Sequence, residues 1–185
     1  MSLTLITGGA RSGKSRFAQE LALTAGGKVL FVATGIAGDA EMAERIQKHR
    51  ANRPAGWETL EASQNLAKAI GERSSGFQVV LIDCITLLLN NIFMRHLDGN
   101  RELIDEASAE KDCVAEIESL LGGIRKGNAH FIIVTNEVGE GIIPANKLSR
   151  VYRDILGKMN QKIAREADTV FLMVAGIPLQ VKPLR

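Results

Sequence analysis

The sequence predicts an α/β fold, a mostly parallel central sheet flanked by helices and ending in an antiparallel hairpin at its C-terminal edge. Three observations point there. Short apolar runs alternate with segments of helical periodicity along the chain. Several runs, Val79 to Ile82 and Thr169 to Val174 among them, are apolar at consecutive positions. Such strands belong in a sheet covered by helices on both faces. Between the first strand and the first helix lies the stretch Gly8-Gly9-Ala10-Arg11-Ser12-Gly13-Lys14-Ser15, which has the spacing of a phosphate-cradling loop.

Taken in order, Leu3 to Thr7 reads as the first strand. Phe17, Ala18, Leu21 and Ala22 repeat at helical spacing after the loop, so a helix starts at about Lys14. Gly26-Gly27 stops it, and Lys28 to Ala33 is the second strand. Asp39 is a suitable N-cap for a helix from Ala40 to about Arg50, and Pro54 closes that unit. Trp57 to Leu60 is a short strand. Ser63 caps a helix with Leu66, Ala67 and Ile70 on its apolar face. Phe77 to Ile82 is a buried strand ending at Asp83, and Ile85 to Met94 is helical. After a polar loop from Arg95 to about Arg101, a long helix carries Val114, Ile117, Leu121 and Ile124. His130 to Thr135 is another strand. Gly139, Gly141 and Pro144 break regular structure between Asn136 and Asn146. Leu148, Val151, Tyr152, Ile155, Met159 and Ile163 line one face of a last helix. Thr169 to Val174 is a strand, and a turn at Gly176 and Pro178 leads into Leu179 to Lys182.

The glycine loop explains itself chemically. Its glycines let backbone N–H groups turn onto phosphate oxygens, and the following helix adds its positive N-terminal end. Lys14 would reach the β- and γ-phosphates of a nucleoside triphosphate, and the Ser15 hydroxyl would ligate Mg²⁺. Asp83, an acid at the end of a buried strand, is the second expected metal residue. In a parallel sheet, ligands collect at the C-terminal strand ends. Here those ends carry Thr7-Gly8, Ala33-Thr34-Gly35, Asp83 and Thr135-Asn136-Glu137.

Composition narrows the class. The chain has 185 residues, 45% hydrophobic and 24% charged, the profile of one globular, cytoplasmic domain spanning 1–185. A net charge of +2 provides no broad nucleic-acid footprint, and no apolar run predicts membrane insertion. The chain starts directly with a strand, so no leader is expected. Cys84 and Cys113 are too few for a disulfide framework and read as reduced thiols.

A second chemical centre lies in residues 41 to 53. Met42, Arg45, Ile46 and His49 share a helical stripe, with Lys48, Arg50 and Arg53 close by. The same cluster would serve as a solvated basic face. Chemically, cations around an imidazole favour its neutral, nucleophilic form and would hold a triphosphate beside it.

These segments resemble the bifunctional adenosylcobinamide kinase and adenosylcobinamide-phosphate guanylyltransferase family of cobalamin biosynthesis. The matching pieces are Thr7 to Ser15, Arg45-Ile46 with His49, Arg53-Pro54, Trp57, Asp83-Cys84, the Thr135-Asn136-Glu137-Val138-Gly139 run through Pro144, Arg150, Arg153-Asp154, Gly157, Asn160 and Gln161. The resemblance implies two reactions. The γ-phosphate of GTP or ATP passes to the aminopropanol hydroxyl of adenosylcobinamide. A histidine, here His49, then takes GMP from GTP and passes it to adenosylcobinamide phosphate. It also implies nucleotide contacts at Gly8, Gly9, Ala10, Arg11, Ser12, Gly13, Lys14, Ser15, Ala33, Thr34, Gly35, Arg50, Ala51, Asn52, Arg53, Glu61 and Asp83, and a homotrimer. Glu140 stands where the family usually carries an apolar residue. A simple P-loop small-molecule kinase, which leaves the His49 cluster and Asn136-Glu137 idle, and a nucleotide-dependent switch, which needs a partner surface that no exposed apolar helix suggests, are the alternatives.

Overall fold

The computed structural model describes residues 2–38, 40, 43–44, 47, 50, 53–99 and 104–183. Its strands are β1 (Ser2–Gly8), β2 (Val29–Ala33), β3 (Glu58–Glu61), β4 (Val79–Asp83), β5 (His130–Val134), β6 (Thr169–Val174) and β7 (Ile177–Lys182). Helices α1 (Lys14–Ala25), α2 (Leu66–Arg73), α3 (Ile85–Met94), α4 (Glu106–Lys126) and α5 (Lys147–Glu166) connect them. Ala40, Ala43, Glu44, Gln47 and Arg50 are helical, as expected for the segment from Ala40. Asp39, Met42, Arg45, Ile46, Lys48, His49, Ala51 and Asn52 lie outside the described residues.

One seven-stranded sheet has the order β3-β2-β4-β5-β1-β6-β7. All its pairs are parallel except β6 with β7, so the expected edge hairpin is present. Successive side chains of a strand point to opposite faces. In β2, Leu30 and Val32 join one core while Val29 and Phe31 join the other. Helices α2 to α5 cover the first face, and α1 covers the second with Ala18 and Ala22. Sheet and helices therefore bury apolar surface on both sides, at roughly 25 cal/mol per Å² removed from water.

Local details depart from the expectations at two places. Helix α2 is not capped by Ser63. Its N-cap is Asn65, in left-handed conformation with no side-chain cap bond. The Glu116 carboxylate of α4 instead accepts from the Asn65 and Leu66 N–H groups at 2.9 and 2.8 Å. An acid at a helix N-terminus suits both the unpaired N–H groups and the dipole, but this one arrives from another element. The final turn uses Ala175 (φ 50°) and Gly176 (φ 85°), the positive-φ pair that two-residue hairpins favour. Pro178 lies inside β7, opposite Met173, and β7 is an edge strand, where proline is tolerated.

Helices α4 and α5 start as sequence rules dictate, with Asp105 accepting from Ser108 N–H and Asn146 from Ser149 N–H. On α4, Ile117 is fully buried under the sheet. Ile117→Ala should therefore cost about 2–5 kcal/mol, read as a lower denaturant midpoint at unchanged m-value.

Candidate active site

The loop after β1 curls back on itself. Gly8 has φ 147° and Gly13 φ 94°, conformations that glycine reaches without strain. Close packing imposes the same choice. A Cβ at Gly8 would stand 2.6 Å from the Met173 carbonyl oxygen, and one at Gly13 would stand 3.1 Å from Gly176 Cα. The loop thus rests on the β6–β7 turn, to which Gly176 N–H adds a bond at Ser12 O. Lys14, the first residue of α1, is buried, and its Nζ donates to Gly9 O at 2.6 Å and Ser12 Oγ at 3.5 Å. Burial pushes its pKa down from the ordinary lysine value, with Cys84 and Asp83 opposing.

A cavity of about 740 Å³ opens over this loop. It brings together Ala10, Arg11, Ser12, Gly13, Lys14 and Ser15 with Ala33, Gly35, Arg50, Arg53, Glu61 and Asp83, residues spread over four strand ends. Gly8, Gly9 and Thr34 stand outside its lining. Thr34 is fully buried, and its hydroxyl both donates to Cys84 O (2.6 Å) and accepts from Cys84 N–H (3.0 Å). It is a clasp between the ends of β2 and β4. Asn91 continues the clasp, donating to Thr34 O at 2.8 Å.

The cavity's basic side is ordered. The Arg53 guanidinium lies 4.0 Å over the Phe31 ring, which itself stacks on Trp57, and Arg53 donates to Thr59 Oγ1 at 3.2 Å. Arg53 Nε is buried with no hydrogen-bond partner among the described residues. Burial, then the nearby Arg50, lower its pKa, against the pull of Asp83. Arg50 pairs with Glu61, both side chains well exposed. Phe31 lies within the apolar second strand, and nothing in that strand's pattern marks the cavity wall it makes. Asn136 also lines the cavity, and its signal was present as a polar residue at a strand end. Glu140 is solvent-exposed, which accommodates its charge.

For Mg²⁺ the donors fit. Ser15 and Asp83 offer a hydroxyl and a carboxylate to the same cavity, and Mg²⁺ usually completes such a site with water and phosphate oxygens. Among the described residues no group of His, Cys, Asp and Glu is large enough to form an all-protein cage. Cys84, at the cavity wall, has its thiol pushed up to about 11, chiefly by burial.

Strand, glycine loop, helix and the acid ending β4 define a P-loop α/β protein. Comparison with known proteins makes this specific. Residues 4–181 match the family described as cobinamide kinase / cobinamide phosphate guanyltransferase, and the chain belongs to that family. Its activities are those two. It is similar to the bifunctional adenosylcobalamin biosynthesis protein CobU of Escherichia coli (strain K12), 40% identical over 97% of this chain and 99% of that protein. The protein of the same name from Salmonella typhimurium is 41% identical over the same shares. The bifunctional adenosylcobalamin biosynthesis protein CobP of Pseudomonas aeruginosa is 41% identical over 96% of each chain. In fold the chain is similar to the RadB recombinase, with TM-score 0.51 at 17% identity, covering 92% of this chain and 73% of that one.

The Thr34 clasp is testable. Thr34→Val leaves the Cys84 N–H buried and unpaired and its C=O with the Leu88 N–H alone, so it should cost about 1–3 kcal/mol, whereas Thr34→Ser should stay near the parent. Paired denaturation curves check this; equal stabilities of the two variants would contradict it.

Proposed function

We propose that one nucleotide cavity serves both transfers, with adenosylcobinamide and its phosphate as acceptors. The observation that supports this best is the convergence of Lys14, Ser15, Asp83, Arg50, Arg53 and Glu61 on one cavity. In the first reaction, γ-phosphate leaves GTP or ATP for the aminopropanol hydroxyl. Lys14 moves its Nζ from Gly9 O and Ser12 Oγ to the β- and γ-phosphate oxygens, and the loop N–H groups cradle the chain of phosphates. Bound Mg²⁺, held by Ser15 and Asp83, would neutralise phosphate charge there.

In the second reaction His49 attacks the α-phosphate of GTP. A His–P bond forms, pyrophosphate leaves, and the substrate's phosphate then takes GMP from the imidazole to give adenosylcobinamide-GDP. Arg53, already half desolvated and held flat on Phe31, is suited to pair phosphate oxygens bidentately. Arg50 would exchange Glu61 for phosphate, which releases the Glu61 carboxylate to accept from a guanine edge or ribose. Ala51 and Asn52 belong to the same proposed nucleotide-contacting segment. We further read residues 1–185 as one nucleotide-binding domain, acting in the cytoplasm as a homotrimer.

A histidine linkage is a phosphoramidate. Incubation with α-labelled GTP should therefore give protein-bound label that acid removes and mild alkali spares. His49→Ala should abolish this label and the GDP product while kinase turnover largely survives. Lys14→Ala should lower both reactions by orders of magnitude. Acid-stable label would point to an ester at Ser12 or Ser15 and sink the histidine step. Absence of any label from the parent chain would favour a plain kinase.

A further inference from the structure

Asn136 is one of the polar residues lining the cavity to which the mechanism above gives no task. Strand β5 runs between β4 and β1, and Val134 stands in register with Asp83 on one side and Ile6 on the other. The chain beyond Val134 therefore emerges between the acid of β4 and the glycine loop of β1. Asn136 emerges there and lines the cavity with Lys14 and Asp83.

Its backbone is held from every side. Thr135 N–H donates to Ile6 O and Glu137 N–H to Gly8 O. Asn136 N–H donates to Thr86 Oγ1 at 2.8 Å. Its carbonyl accepts from Asn160 Nδ2 at 3.0 Å, and Asn160 Oδ1 accepts from Thr135 Oγ1 at 2.8 Å. Asn160 is buried in α5, and a buried amide using both its ends specifies one geometry. Tyr152 of the same helix donates to Thr86 O at 2.6 Å. The bonds that locate Asn136 all use its main chain, while its side-chain amide bonds to none of the described residues, and the residue lines the cavity.

A neutral donor on a firmly held main chain, lining the same cavity as Lys14 and Asp83, suits the needs of a transferring phosphoryl group. We propose that the Asn136 amide hydrogen-bonds the γ-phosphoryl oxygens during transfer to the acceptor hydroxyl, and so serves the kinase reaction and not guanylyl transfer. This deepens the function proposed above and rests on it. In that step the acceptor oxygen bonds to the γ-phosphorus and the bond from phosphorus to the β,γ-bridging oxygen breaks. The electron pair leaves with the nucleoside diphosphate, and the hydroxyl proton passes to water. The Asn136 N–H stays on its nitrogen throughout. Transfer to His49 at the α-phosphorus leaves the γ-phosphate spectating within pyrophosphate, so the amide has no changing charge to follow there.

Asn136→Ala and the uncharged, similarly shaped Asn136→Leu keep every main-chain bond, so both should melt near the parent. Kinase kcat should fall about 100-fold, the usual effect of removing one transition-state donor, with GTP KM within about threefold, and α-label on His49 should form at the parent rate. Binding of GDP with aluminium fluoride, a planar mimic of the transferring group, should weaken at least tenfold while GDP alone binds as before. Kinase turnover within threefold of the parent, equal loss in both reactions, or unchanged aluminium fluoride binding would overturn the assignment. The parent's own kinase activity tests the underlying reading separately, because the fluoride measurement needs no acceptor.

Discussion

The parallel register around Val134 is the constraint on which the site depends. Because β5 is hydrogen-bonded to β4 on one side and β1 on the other, the three strand ends finish at one level. The glycine loop, Asp83 and Asn136 are then neighbours, although they lie far apart in the chain. Such a sheet has to be covered on both faces, since its strands are apolar on both. The helices that supply the cover also supply Lys14, at the start of α1, and Asn160, in the middle of α5.

Holding those strand ends together takes polar groups in places that water does not reach. A buried polar group is costly without partners and rigid with them. Thr34 meets this by bonding both the N–H and C=O of Cys84. Asn160 meets it by bonding the Thr135 side chain and the Asn136 carbonyl. The two devices sit on opposite sides of Asp83. Together they fix the floor of the cavity by means that no hydrophobic contact could provide, because hydrophobic contact is not directional. The ion pairs between α4 and α5, Lys158–Glu110 at 2.6 Å among them, are exposed and add little to stability by comparison.

The cavity's charge is arranged by burial. Lys14 is taken out of water by the loop that it braces, and Arg53 by the Phe31 face. Both cations are thereby poorly solvated, and under the proposed function phosphate oxygens would take the place of water that these groups have already lost. Arg50 differs, since it is exposed and engaged with Glu61. Under the proposed function, an incoming nucleotide would have to compete with that carboxylate for Arg50.

The sequence by itself determined the fold class, the order of strands and helices, and the glycine loop with Lys14, Ser15 and Asp83. These features are local: periodicity, capping residues and a contiguous motif depend on neighbours along the chain. The edge hairpin was legible too, but Pro178 was misplaced into its turn, because only the sheet order shows that β7 has a free edge. Glu116 as the cap of α2 was invisible for a similar reason, since its partners are fifty residues away. Thr34 enters the reading as a nucleotide contact that the family resemblance implies, and its clasp on Cys84, fifty residues away, has no signal in the residues around it. Tertiary structure alone made Phe31 a cavity wall and turned Asn136 from part of a motif into a placed amide. Each of these depends on which side of a strand faces which neighbour, and that is settled by sheet register and packing, not by the residues adjacent in sequence.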